Sequence, residues 1–224
     1  MDPRTAALIW QDDGSPRSAQ FDDPYFSAEG GLAEARHVFL AGNGLPGRFT
    51  PGFHIAELGF GTGLNMLAAW QAWRQSGTAG PLRFTSFEAF PLSLKDMEKA
   101  LLSWPELQAL SAPLLAAWPC ATLRLPSLHF ELVIGDARAT LSPWHGKVDA
   151  WFLDGFSPSK NPEMWSEDLL GAVGDHTAPH GSFATYTAAG HVRRALTKAG
   201  FTVTRTQGFG RKRHMSAGQR AERA

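Results

Sequence analysis

Along most of the chain, short apolar runs alternate with segments of helical spacing. Residues 53–58 form an apolar run ended by glycines and predict a buried strand. Residues 64–74 place Leu64, Leu67, Ala68 and Gln71 at helical spacing among good helix formers, and predict a helix. A second strand is predicted over 82–87 and a second helix over 92–102, with Ser93 as its cap. Prolines at 105, 113, 119 and 126 then predict short helical pieces. Further strands are expected over 130–134, 148–153, 182–186 and 201–206, with a short last one over 214–216. Helices are expected over 167–173 and 189–199, the latter stopped by Gly200. The first fifty residues are rich in Gly, Pro and Asp. They predict a loosely structured extension holding one aromatic cluster (Phe21, Tyr25, Phe26), and a strand over 37–40.

Strands that are apolar throughout, separated by helices, imply a mostly parallel sheet covered on both faces. The expectation is a single doubly wound α/β domain over 1–224, with residues 1–50 as its extension. Such sheets bind ligands at the carboxyl ends of the strands, near the point where strand order reverses.

Composition narrows the class. The chain has 224 residues, enough for one core. No apolar run approaches the roughly 18–20 residues of a membrane helix, and the acidic start lacks the pattern of a signal peptide. The single cysteine, Cys120, cannot form an internal disulfide, which favours a reducing, cytoplasmic setting. Net charge is zero, so no chain-wide electrostatic grip on nucleic acid is expected. The charge is uneven, however. From His191 onward nine basic residues, from Arg193 to Arg223, face the single acid Glu222.

The strongest local signal is the turn Glu57-Leu58-Gly59-Phe60-Gly61-Thr62-Gly63-Leu64-Asn65, between a predicted strand and a predicted helix. Glycines let backbone approach a ligand closely, and the helix start offers free N–H groups. A tight turn without ligand is the alternative. The spacing G-x-G-x-G departs from the dinucleotide pattern G-x-G-x-x-G. With Glu57 ahead of it, it suits S-adenosylmethionine, which has no pyrophosphate; Glu57 would face the donor's positive end. Glu88, at the end of the second strand, is placed to accept from ribose hydroxyls. Asp136 follows the third strand and could bond the adenine amine, or simply form a Gly-Asp turn. Asp154 ends the apolar fourth strand in Trp151-Phe152-Leu153-Asp154-Gly155-Phe156, next to the expected position of a transferable methyl group. A primary amine resembles lysine, with a pKa of about 10, and is mostly protonated near neutral pH. A carboxylate aimed at it can orient it and receive its proton, although a carboxylate also favours the ammonium form.

Several stretches together resemble the methyltransferase domain of the tRNA 5-methylaminomethyl-2-thiouridine biosynthesis proteins. They are Phe21-Asp22-Asp23-Pro24-Tyr25-Phe26-Ser27, Val38-Phe39-Leu40-Ala41-Gly42-Asn43, the glycine turn, Ser86-Phe87-Glu88, residues 148–162 and Gly208-Phe209-Gly210-Arg211-Lys212-Arg213. The block VDAWFLDGFSPSKNPEMW is the most specific of them. The resemblance implies methylation of the exocyclic amine of 5-aminomethyluridine, with or without 2-thiolation, at the wobble position of a tRNA anticodon loop. It implies a seven-stranded methyltransferase sheet with an antiparallel last strand, Asp154 at the reaction centre, and the donor on the glycine turn. Ser157, Ser159 and Tyr186 depart from the alanine, alanine and phenylalanine expected there. Many relatives continue into a flavin-dependent oxidoreductase domain. This chain has no second dinucleotide loop, so that step would fall to a partner in trans or to a further domain.

Arg211, Lys212 and Arg213, with Arg193, Arg194 and Lys198, are candidates for phosphate contact, which positions RNA without reading its sequence. Lys160 is assigned to the substrate side. A wobble base splayed from a single-stranded loop can stack on an aromatic ring, and Phe156, Tyr25, Tyr186 and Trp165 are candidates. The histidines and Cys120 show no metal-ligand spacing, so no metal site is expected. Competing readings are a methyltransferase for small-molecule or protein amines, a nicotinamide-dependent oxidoreductase, and an RNA-binding module without catalysis.

Overall fold

The computed structural model describes residues 5–27 and 30–221. The N-terminal Met-Asp-Pro-Arg and the tail residues Glu222 and Arg223 lie outside them. The elements run β1 (Leu8–Trp10), β2 (Pro16–Ser18), α1 (Gly31–Ala35), β3 (His54–Leu58), α2 (Leu64–Ser76), β4 (Leu82–Glu88), α3 (Leu94–Leu101) and α4 (Gln108–Ala117). They continue with β5 (Thr122–Leu125), β6 (Leu128–Ile134), α5 (Ala137–Thr140), β7 (Val148–Leu153), α6 (Glu167–Asp175), β8 (Thr177–Thr185), α7 (Gly190–Lys198), β9 (Phe201–Gln207) and β10 (His214–Arg220).

The main sheet has the order β5-β6-β4-β3-β7-β8-β10-β9. The five strands from β6 to β8 are parallel, whereas β10 runs antiparallel between β8 and β9. The expected mostly parallel sheet with an antiparallel last strand is present. An eighth strand joins it: β5 turns back on β6 as an antiparallel hairpin at the edge. The prolines at 119 and 126, expected to break helices, flank this short strand instead.

Alternation along the central strands feeds two cores. Ile55, Phe84, Phe130 and Phe152 point to one face, where Leu67, Trp70 and Met97 from α2 and α3 cover them. Ala56, Leu58, Phe87, Trp151 and Phe183 point to the other, against Leu169, Leu170, Val192 and Leu196 of α6 and α7. Each fully buried large side chain stabilises the fold by about 1.5–3 kcal/mol, before chain entropy is counted.

Two expectations fail in the first fifty residues. Residues 37–40 are not a strand; α1 continues through a π turn over Arg36–Leu40 and a 3-10 turn over Ala41–Asn43. Val38, Phe39 and Leu40 are all buried. A short continuous apolar run fits a buried helix as well as a strand. Nor is the extension loose. The Arg48 guanidinium donates to the carbonyls of Asn43 (2.9 Å), Asp149 (3.2 Å) and His180 (3.0 Å), and to the Ser182 hydroxyl. Trp10 donates to Asp96 (3.2 Å), and the Lys99 ammonium sits 3.9 Å from its ring centre, pinning the β1–β2 hairpin to α3. No helix among the described residues is long and apolar enough to cross a membrane.

Candidate active site

Strand order reverses between the parallel strands β3 and β7: β4 and β6 extend the sheet to one side, β8 to the other. A cavity of about 750 Å³ opens over these strand ends. The tips are stitched together, with Asp154 N–H donating to Leu58 O (3.1 Å), Gly59 N–H to Phe87 O (2.9 Å) and Gly135 N–H to Glu88 O (2.9 Å).

The three turn glycines all have positive φ, 89° at Gly59, 53° at Gly61 and 76° at Gly63. At Gly59 the reason is close backbone approach: a Cβ there would lie 2.1 Å from the Asp154 carbonyl oxygen. A Cβ at Gly63 would lie 2.8 Å from the Phe60 ring. The glycines thus set the seam between β3 and β7 as well as the floor of the cavity. Gly59, Gly61 and Thr62 line the cavity; Gly63 starts α2 just behind it.

Asn65, on the first turn of α2, organises the acids. Its Nδ2 donates to Glu57 Oε1 (3.0 Å) and to Asp154 Oδ2 (2.6 Å). Glu57 is fully buried, and its other oxygen accepts from the Ser86 hydroxyl (2.8 Å). Burial drives its carboxyl well above the usual carboxylate range, the neighbouring Asp154 charge adds to this, and the hydrogen bonds from Asn65 and Ser86 oppose it. Glu57 lies beneath the turn and does not line the cavity, so it reaches a ligand there only through Asn65.

Asp154 does line the cavity. It keeps some surface open to that space, yet burial pushes its carboxyl up to about 7, against the Asn65 hydrogen bond. The Glu34 charge raises it further and the Lys212 ammonium lowers it. Glu88 also lines the cavity, accepting from the backbone N–H groups of Gly61 (3.1 Å) and Phe90 (2.8 Å). Burial raises its pKa and these backbone donors restrain it. Asp136 caps α5 by accepting from Arg138 N–H (2.9 Å) and pairs with the Arg138 guanidinium (2.6 Å), which holds its carboxyl below the usual range. It thus forms the turn and also borders the cavity.

The far wall comes from the extension. Phe156 stacks on Phe21 (centroids 4.8 Å apart) and meets Tyr25 edge-on at 5.1 Å. Tyr186 donates its hydroxyl to Gly155 O (2.8 Å) and carries Lys212 over its ring at 4.3 Å. Trp165 is a core residue whose indole N–H holds Phe156 O (2.8 Å). Lys160 reaches the Asp22 carbonyl and the carboxylates of Asp22 (3.3 Å) and Asp23 (3.7 Å), while Ser157 N–H donates to Asp23 (2.8 Å). Lys160 is thus a strut between the loop after β7 and the extension.

The basic cluster divides. Arg211 and Arg213 are exposed on the β9–β10 turn and do not line the cavity, whereas Lys212 does. Lys198 pairs with Glu167 (2.6 Å), and neither Arg193, Arg194 nor Lys198 borders the cavity. Glu34 and Asp23 were not singled out in the sequence as site residues. Only the stretch Phe21–Ser27 carried a signal, through the family resemblance. Among the described residues no cluster of three or more His, Cys, Asp or Glu is arranged to hold a metal ion.

A doubly wound sheet with a glycine turn and three cavity-facing acids at its reversal point has the build of a methyltransferase. Residues 105–221 match the family described as S-adenosyl-L-methionine-dependent methyltransferase, and the chain belongs to that family. It is 46% identical, over 97% of its length, to the tRNA 5-methylaminomethyl-2-thiouridine biosynthesis bifunctional protein MnmC of Aeromonas hydrophila. The chain spans only 36% of that relative's length. The crystal structure of MnmC2 from Aquifex aeolicus matches with a TM-score of 0.73 at 25% identity, covering 97% of this chain and 71% of that one. Spermidine synthase of Thermotoga maritima, at 11% identity and a TM-score of 0.57, covers 97% of this chain and 72% of its own, and shares the fold alone.

The cavity fits the donor. Its volume lies inside the roughly 300–1,000 Å³ range of small-molecule sites. Glu88 faces the cavity with its carboxylate held by backbone donors, among them Gly61 and Phe90.

Proposed function

We propose that this protein methylates the exocyclic primary amine of 5-aminomethyluridine, with or without 2-thiolation, at the tRNA wobble position, giving the 5-methylaminomethyl form. The observation that carries this reading is Asp154: a carboxylate poised near neutrality, held by one Asn65 nitrogen, on the wall of the donor cavity. The likeness to MnmC supplies the substrate class.

S-adenosyl-L-methionine, when bound, supplies an electrophilic methyl group on a sulfonium. Gly61, Thr62 and Glu88 would hold its nucleoside portion, with Asp136 at the border of the cavity. Asp154 orients the amine. When the amine nitrogen takes the methyl group, with the donor's carbon–sulfur bond breaking to leave a neutral thioether, the Asp154 carboxylate would receive the proton that the nitrogen sheds. A carboxyl near 7 holds that proton better than an ordinary aspartate and releases it at physiological pH. Asn65 fixes which oxygen is free for the task. Phe156, Phe21 and Tyr25 offer ring faces and edges for an unstacked base, and Arg211 and Arg213 offer phosphate contacts outside the cavity. Removal of a carboxymethyl group belongs in this proposal to a flavin oxidoreductase domain or partner. The reaction belongs with tRNA in the cytoplasm.

The test is mass analysis of wobble nucleosides after incubating aminomethyl-bearing tRNA with protein and labelled donor. Label in 5-methylaminomethyluridine is expected. Label confined to small or protein amines overturns the tRNA reading.

A further inference from the structure

We infer that Lys212 is the counter-ion of Glu34 at the rim of the cavity, and that this pairing leaves Asp154 as the carboxyl offered to the acceptor amine. Its catalytic consequence rests on the amine reading above; the charge arrangement does not.

Glu34 sits on α1 with a side chain only 12% exposed, and it lines the same cavity as Asp154. Its Oε1 accepts from Lys212 Nζ at 2.8 Å. The ammonium is held from a second side by the Tyr186 ring at 4.3 Å, and Tyr186 is tied through its hydroxyl to Gly155, next to Asp154. The turn that delivers Lys212 is built for this. Gly208 N–H donates to Arg213 O (3.1 Å), and Lys212 N–H to Phe209 O (3.0 Å). A Cβ at Gly208 would lie 2.1 Å from Lys212 O, so the tight turn needs glycine there. Arg211, Lys212 and Arg213 are all exposed, and of the three Lys212 borders the cavity.

Among the described residues, Asp136, Arg138 and Glu163 also border the cavity, and the charged groups nearer Asp154 bear on the outcome. Glu57 approaches from β3 through Asn65, Glu34 from α1, and Lys212 from the β9–β10 turn; Tyr186 follows β8. Glu88, Asp23 and Lys160 border the same cavity. Without Lys212, Glu34 would stand bare beside Asp154. Two like charges sharing a site make one hold its proton to higher pH. Two carboxylates would also trap the substrate as ammonium, whose nitrogen has no lone pair to give. With Lys212 in place, its positive charge disfavours a second cation and shifts the amine toward the reactive neutral form. Lys212 is therefore a positioning residue that acts through Asp154 and the amine.

The experiment is a charge cycle in the full chain: Lys212→Met, Glu34→Gln, the double variant, and Lys212→Arg. One measurement is carbon NMR titration of the Asp154 carboxyl without donor; the other is the pH profile of kcat/KM. Lys212→Met should raise both midpoints by about one unit and lower kcat near pH 7 by roughly tenfold. Glu34→Gln should lower both midpoints. The double variant should return to within about 0.3 unit of wild type, because the two charges are coupled. Lys212→Arg, which keeps the charge, should leave them in place.

An NMR midpoint that stays put in Lys212→Met overturns the proposal whatever the substrate. A raised NMR midpoint with an unmoved pH profile overturns its catalytic half. A higher KM for tRNA and a weaker salt dependence alone would make Lys212 a phosphate contact. Failure of wild type to methylate aminomethyl-bearing tRNA would sink the proposed function, while the NMR cycle would still decide the charge pair.

Discussion

Glu57 and Asp154 accept hydrogen bonds from the same nitrogen of Asn65, yet the chain treats them in opposite ways. Glu57 lies under the glycine turn with no surface exposed, and Ser86 completes its partners. Burial raises its pKa, and its two oxygens hold Asn65 and Ser86, so it serves as a buried anchor for Asn65. Asp154 accepts from Asn65 and borders an open cavity. The difference shows that position at a strand tip does not assign a role; whether the carboxyl faces the cavity does. A carboxyl sealed beneath the turn, with both oxygens held by the protein, has no access to a substrate. Asp136, capped and paired with Arg138 yet bordering the cavity, lies between the two.

The sharpest way to break the comparison is to remove each carboxyl in turn. Asp154→Ala should lower turnover by about 10³-fold, the scale of a lost general base, while calorimetric donor affinity stays within about threefold. Turnover close to wild type would end its catalytic role.

Stability should move the opposite way. The Asp154 carboxyl rises from 3.8 to about 7 on folding, so the folded state holds more protons than the unfolded chain between those values. Stability therefore falls as pH rises through that window. Asp154→Asn has no charge to bury. At pH 8 it should be more stable than wild type by on the order of 3 kcal/mol, with the gap closing near pH 4. Chemical denaturation at the two pH values measures it, and a gap independent of pH would show that the group titrates normally. Glu57→Ala should instead destabilise, by about 2 kcal/mol, because Asn65 and Ser86 lose a buried acceptor. A fully stable Glu57→Ala variant would mean that water replaces the carboxyl and that Glu57 is no anchor.

The same divide explains what the sequence disclosed. The alternation of apolar strands and periodic helices placed the central sheet, because burial on both faces leaves near-continuous apolar runs. Residues 37–40 misled because three consecutive buried residues suit a π turn as well as a strand. β5 was hidden by its length, four residues with half of them exposed, beside prolines that read as helix breakers. At the site, the acids at strand tips were legible one by one. Their partners were not: Glu34 and Asp23 come from the extension and reach the cavity only through long-range packing. Charge clusters were least legible. Arg211, Lys212 and Arg213 are consecutive and all exposed, yet the Gly208 turn brings only the middle one to Glu34 at the rim of the cavity.

That last split predicts the smallest effect and tests the comparison at its edge. Arg211 and Arg213 lie outside the cavity, so reversing both to glutamate should leave donor affinity and the pH profile in place. Exposed charges contribute little to stability, and the melting temperature should hardly change. The effect should be confined to RNA: KM for tRNA rising by about tenfold, and a salt slope shallower by about one to two counterions. Lys212→Met should behave in the opposite manner, moving the pH profile more than the salt slope. If the two outer arginines and Lys212 gave the same phenotype, the three would form one phosphate-binding surface. The inward contact with Glu34 would then be a resting arrangement that RNA displaces.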